Sequence, residues 1–123
     1  MDFDPLANQV IGCALQVHSA LGPGLLESTY ERCLALEMRA QGLSFEEQKS
    51  LPISYRDVQI ENAYRIDFVM AEKLVVEIKA VAELIDVHQA QVLTYMRFSR
   101  IPVGLLLNFN VSHLKRGIRR FVL

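Results

Sequence analysis

The chain has little net charge with which to draw in a polyanion. Thirteen Lys and Arg stand against fourteen Asp and Glu, a net −1 at pH 7, so nucleic acid or an anionic membrane would have to be met by a local patch or a metal. Cysteine is scarce. Cys13 and Cys33 are the only two; they lie in apolar segments of helical spacing with no C-x-x-C pairing, which argues against a disulfide scaffold and for reduced core thiols of an intracellular protein. Long apolar runs are missing as well: none reaches the roughly 18 residues of a membrane span. The opening stretch "MDFDPLANQV" has no basic segment of the kind that begins a signal peptide. No internal repeat or low-complexity stretch interrupts the chain. What is there, 123 residues of which 51% are hydrophobic, suffices for a real core. The expectation is a single domain over residues 1–123, soluble, cytoplasmic and away from membranes.

Asp4 followed by Pro5 is a helix start, and Val10, Ile11, Ala14, Leu15, His18 and Leu21 then recur at helical spacing until "GPG" at 22–24 ends the run. A second helix is expected from about Leu25 to Gln41, with Glu27, Tyr30, Leu34 and Met38 on one face and Gly42 as its stop. Between about Gln48 and Lys79 the period shortens. "LPISY", "AYRIDFVM" and "KLVVEIKA", separated by the turns "RD" and "AEK", predict a three-stranded antiparallel meander. Helical spacing returns from about Asp86 to Arg100, with Ile85, Val92 and Met96 expected to face the sheet. "IPVGLLLNFN" then reads as a strand buried on both faces. The tail "HLKRGIRRFVL" admits either a last helical turn or a short strand. The order α-α-β-β-β-α-β implies an α/β (α+β) fold in which helices flank a mixed sheet.

Charges enter strands where apolar residues would be expected. In "VVEIKA" the two-residue period puts Glu77 and Lys79 on one face and Val76 and Ile78 on the other; in "YRIDFVM" it puts Tyr64, Ile66 and Phe68 opposite Asp67. If the two strands pair, Asp67 neighbours Glu77. Adjacent carboxylates resist burial unless a cation or a proton intervenes, and an all-oxygen site suits Mg²⁺ or Mn²⁺. With Lys79 beside it, such a site has the parts for phosphodiester hydrolysis. By itself D-x9-E-x-K is a weak pattern, and a solvated strand face would look the same. In the following helix His88, Gln91 and Tyr95 form a stripe at i, i+3 and i+7 along the edge of the apolar side, from which Gln91 could orient a water or a carboxylate and Tyr95 could reach a phosphate. Ordinary polar edge residues would give the same stripe.

With these residues in hand the sequence resembles the GxxExxY family, a branch of the PD-(D/E)XK nuclease superfamily, over essentially its whole length. "GLLESTY" carries Gly24, Glu27 and Tyr30 of the naming motif. Asp67 followed by Glu77-Ile78-Lys79 matches the superfamily signature, and Gln91 to Tyr95 looks like the QxxxY motif of its recombination and repair branch. "VHSALGPG" and "GLLLNF" also fit. Asn110 departs from the pattern, which more often has glycine after "NF".

The resemblance implies a restriction-endonuclease-like core and a divalent-metal nuclease. By position, Asp67 and Glu77 would be Mg²⁺ or Mn²⁺ ligands and Lys79 the catalytic lysine. Glu27 would be the acid of the first core helix, near the metal or its water shell, and Gln91 and Tyr95 would be close to the substrate. His18 matches a histidine that can join the metal in related repair nucleases, although a histidine on an apolar helix face can equally be a hydrogen-bonded core residue. The implied partner is nucleic acid, DNA ahead of RNA. Lys115, Arg116, Arg119 and Arg120, with Arg97 and Arg100, could touch its backbone or simply form a solvated face. A homodimer is compatible with so small a domain. The alternative function is a non-catalytic module that binds nucleic acid or a phosphoryl ligand on the nuclease fold.

Overall fold

The computed structural model describes residues 4–123. Helix α1 (Pro5–Leu21) starts as its sequence dictates: Asp4 Oδ1 accepts the Ala7 N–H at 3.0 Å and Pro5 occupies the first turn. It stops at Gly22, whose φ of 68° a side chain would resist. Helix α2 (Glu27–Ala40) follows, and the chain then enters the meander β1 (Glu46–Tyr55), β2 (Val58–Met70) and β3 (Leu74–Lys79). The two-residue turn Arg56–Asp57 has both φ values positive, near 52° and 62°, the mirror-image geometry that suits the right-handed twist of paired strands. Helix α3 (Asp86–Ser99) carries the chain across to β4 (Val103–Asn108), which lies parallel to β3. The tail supplies both of the structures its sequence admitted, a 3-10 turn (Leu114–Gly117) and a further edge strand, β5 (Ile118–Val122).

The sheet runs β1-β2-β3-β4-β5, antiparallel except between β3 and β4. Helices α1 and α2 cover one face. Val10, Ala14, Tyr30, Leu34 and Met38 pack there against Phe68, Met70, Val76, Ile78, Leu105 and Leu107. Helix α3 covers the other, with Val92, Tyr95 and Met96 against Ile66, Val69, Val75 and Leu106. Its approach is close enough to require Gly104 on β4, since a Cβ there would stand 2.5 Å from the Met96 sulfur. With both faces covered, "GLLL" is buried throughout, as a strand inside a three-layer fold must be.

Two expectations about facing are corrected. Ile85 lies just before α3 and is 54% exposed rather than packed on the sheet; its N–H is held by His88 Nδ1 at 3.0 Å, so the residue serves the helix start. Ile66 and Phe68 do not share a face: Ile66 lies in the α3 layer and Phe68 in the α1/α2 layer. The alternation of β2 therefore reverses at Asp67. Cys13 is buried and Cys33 half-buried, both as free thiols. None of the described helices is long and apolar enough to cross a membrane.

Candidate metal and phosphodiester site

The reversal at Asp67 is where the site forms. Strands β2 and β3 pair regularly through Phe68 with Val76, Val69 with Val75 and Met70 with Leu74. One step further on, side chains replace the backbone ladder. The Asp67 N–H donates to Glu77 Oε1 and the Ile78 N–H donates to Asp67 Oδ2, each at 2.8 Å. The two carboxylates thus cross between the strands, each satisfying an amide of the opposite one, which explains how acids can enter strands whose other residues are apolar.

Burial sets their electrostatics. Glu77 is only 3% exposed, and burial, with the neighbouring Asp67 charge, pushes its pKa up to about 8. Burial raises Asp67 too, against the opposing pull of the Ile78 amide, the Gln48 amide and Lys79. Lys79 sits half-buried at the end of β3, and its charge favours the ionised form of both acids. The face-sharing expected for Glu77 and Lys79 is consistent with Val76 and Ile78 packing together under α1 and α2.

Glu27 opens α2 on its exposed end, not buried with Tyr30, Leu34 and Met38, yet its charge is felt at Glu77. Gln91 and Tyr95 look in from α3. Gln91 hydrogen-bonds Tyr95, whose phenol is raised by burial and by the charges of Glu77 and Asp67, and Tyr64 stacks on the Tyr95 ring with centroids 5.1 Å apart. Tyr95 therefore stays protonated, within reach of the acids' charge. His18 is engaged elsewhere: its Nε2 lies 2.8 Å from the Val111 carbonyl, and it lines a surface cavity with Ser112, His113 and Lys115. Tyr30, the last residue of "GLLESTY", does structural work. Its hydroxyl donates to the Gly22 carbonyl at 2.5 Å and accepts the Leu25 N–H at 3.1 Å, while its ring stacks on Phe109. It thereby fixes the loop that delivers Glu27.

Two residues near the acids escaped the reading of the sequence. Glu31 lies one helical turn after Glu27, and burial together with the Asp67 charge raises its pKa to about 7. Gln48, on β1, donates to Glu31 Oε2 at 2.7 Å and to Asp67 Oδ1 at 3.1 Å. The i, i+4 relation to Glu27 was a signal for Glu31. Nothing in the local pattern of β1 marked Gln48.

The donor chemistry fits a hard divalent cation, since every acid here offers oxygen. As the side chains lie, no group of three or more His, Cys, Asp or Glu among the described residues is arranged to hold a metal. The set His18, Glu27, Asp67 and Glu77 is therefore not a ready-made cage. Asp67 and Glu77 are the pair in contact with each other's strands, with Glu27 and Glu31 contributing charge from α2.

No curated protein and no solved structure matches the chain. A family model described as the PD-(D/E)XK nuclease superfamily matches residues 4–121, nearly all of it. That match covers a mixed sheet in which Asp67 and Glu77-Ile78-Lys79 meet across adjacent strands, and the chain belongs to the PD-(D/E)XK nuclease superfamily.

Proposed function

We propose that this protein is a divalent-metal-dependent nuclease of the GxxExxY branch, hydrolysing phosphodiester bonds of nucleic acid. The observation that carries the reading is the cross-strand exchange of Asp67 and Glu77 beside Lys79. In this reading Asp67 and Glu77 hold Mg²⁺ or Mn²⁺, with Glu27 acting on the ion or its water shell. The bound ion would polarise a phosphoryl oxygen and make water a better nucleophile. Lys79 steadies negative charge as it develops at the attacked phosphate. Tyr95, kept protonated by burial and the Glu77 charge and held by its hydrogen bond to Gln91, donates to a phosphate oxygen. His18 is assigned here to the hydrogen-bonded packing of α1 rather than to the metal, in view of its bond to Val111.

The exposed Lys115, Arg116, Arg119 and Arg120 run along the 3-10 turn and β5, at the opposite edge of the sheet from β1. They offer a track for a nucleic-acid backbone. The test is cleavage of single-stranded, double-stranded and structured DNA and RNA with and without Mg²⁺ or Mn²⁺, in the native chain, Glu77→Ala and Lys79→Ala. Ion-dependent cleavage lost in both variants supports the reading. Cleavage that survives both overturns it.

A second reading has one observation in its favour. Each strand acid already satisfies a backbone amide, an arrangement that would also serve a non-catalytic module binding nucleic acid or a phosphoryl group. It predicts binding that is insensitive to metal and persists in Glu77→Ala.

A further inference from the structure

Gln48 stands at a point where β1 and β2 both depart from regular strand geometry, apart from the register shift between Leu51 and Ile53 further along the pair. Its φ is 53°, a left-handed value that non-glycine residues rarely adopt. It falls between the pairs Glu47–Phe68 and Lys49–Ile66, opposite Asp67, where the faces of β2 reverse. Both strands turn at the same step.

The exposed Gln48 side chain reaches from β1 to α2 and β2 at once. A single nitrogen, Nε2, donates to Glu31 Oε2 at 2.7 Å and to Asp67 Oδ1 at 3.1 Å. The second of these matters most. Asp67 Oδ2 already accepts the Ile78 amide, which leaves Oδ1 the freer oxygen for a cation, and the Gln48 amide is bound to it. A primary amide can donate to two carboxylates but carries no charge, so it satisfies their lone pairs without neutralising them. A divalent ion does both. Because Gln48 is exposed, its side chain can swing into water without opening the core.

Resting on the metal-dependent reading above, we propose that Gln48 is a latch that competes with the cation for Asp67, anchored in place by Glu31, and that it sets the ion concentration at which the site fills. It is a positioning residue that acts through Asp67. It makes no contact with substrate in this account.

The experiment measures Mn²⁺ binding, independently of turnover, by electron paramagnetic resonance of free Mn²⁺ and by calorimetry. Gln48→Gly keeps the backbone conformation, since glycine adopts positive φ without penalty, and removes the amide. Its Mn²⁺ affinity should rise about three- to tenfold, the scale of a charge-assisted hydrogen bond weakened by exposure. Gln48→Lys puts a cation on the same two carboxylates and should lower the affinity about tenfold or more. Thermal melts of both variants check that each is folded. Equal or weaker binding in Gln48→Gly overturns the latch and leaves the metal site standing, as does Gln48→Lys binding Mn²⁺ as well as the native chain. Absence of Mn²⁺ binding in all three proteins at millimolar ion overturns the metal-dependent reading itself, and the latch with it.

Discussion

Within one pair of strands, β2 and β3, two adjoining regions are built on opposite principles. From Phe68 to Met70 and Leu74 to Val76 the ladder is regular, and every side chain is buried and apolar. At Asp67 and Glu77, one step along, carboxylates take over the hydrogen bonds of the ladder and raised pKa values record the strain of burying them. The apolar region stabilises the fold through transfer of surface out of water. The carboxylate region opposes it, because ionising both acids would hold like charges together in a poorly solvated place, and Glu77 keeps a proton instead. Side by side, the two show how a sheet can hold buried acids in place: the regular ladder carries the fold, and the acids sit at its open end.

The largest effect expected from this contrast is on chemistry. Glu77→Ala should lower metal-dependent cleavage by about 10³-fold or more, and Lys79→Ala by about 10²–10³-fold, the range for removing one preorganised electrostatic partner. Circular dichroism of both variants should remain native, which would separate the carboxylate region from the fold. Loss of secondary structure in Glu77→Ala would break the comparison.

Phe68→Ala tests the other side. Phe68 is fully buried and meets Phe45 edge-on at 5.3 Å, so the substitution should cost about 3–5 kcal/mol in urea unfolding. A change below about 1 kcal/mol would mean that the regular ladder does not carry the core.

A smaller effect follows from the proton on Glu77. Its folded pKa of about 8 lies above the value of about 4.3 expected in the unfolded chain. Between those values the folded protein keeps a proton that the unfolded chain has released. Stability in metal-free buffer should therefore fall as pH rises across that window, by at most about 1.4 kcal/mol per unit from this group, and be retained below it. Glu31, raised to about 7, acts in the same direction. Urea melts from pH 5 to 8 should show a shallower slope in Glu77→Gln; an unchanged slope would place its source elsewhere.

The smallest effect is expected at Tyr30→Phe, which keeps the ring against Phe109 and removes two hydrogen bonds to the Gly22–Leu25 loop. About 1–2 kcal/mol of stability should be lost, with cleavage reduced only as far as Glu27 is displaced. Native stability in this variant would show that the loop is held by packing alone.

Much of this was legible in the sequence, for physical reasons. Asp4-Pro5 and Gly22 bound α1 because capping and positive φ are local chemistry, and the turns at "RD" and "AEK" divided the meander for the same reason. Glu77 and Lys79 could be assigned a common face because β3 keeps its two-residue period. Strand β2 does not. Period-based reading put Ile66 with Phe68, and the reversal at Asp67 arises from pairing with Gln48 on one side and Glu77 on the other, contacts distant in sequence. Gln48 and Glu31 were hidden for that reason: one sits in a polar edge strand and the other on a charged helix surface, and only the fold brings them to Asp67.

The most direct measurement is anomalous scattering from crystals of the native chain equilibrated with MnCl₂. The account predicts a manganese peak about 2.0–2.3 Å from an oxygen of Asp67 and from one of Glu77, with Lys79 beside it. A fully soaked crystal with no peak at those carboxylates, or with manganese bound only elsewhere, would contradict it.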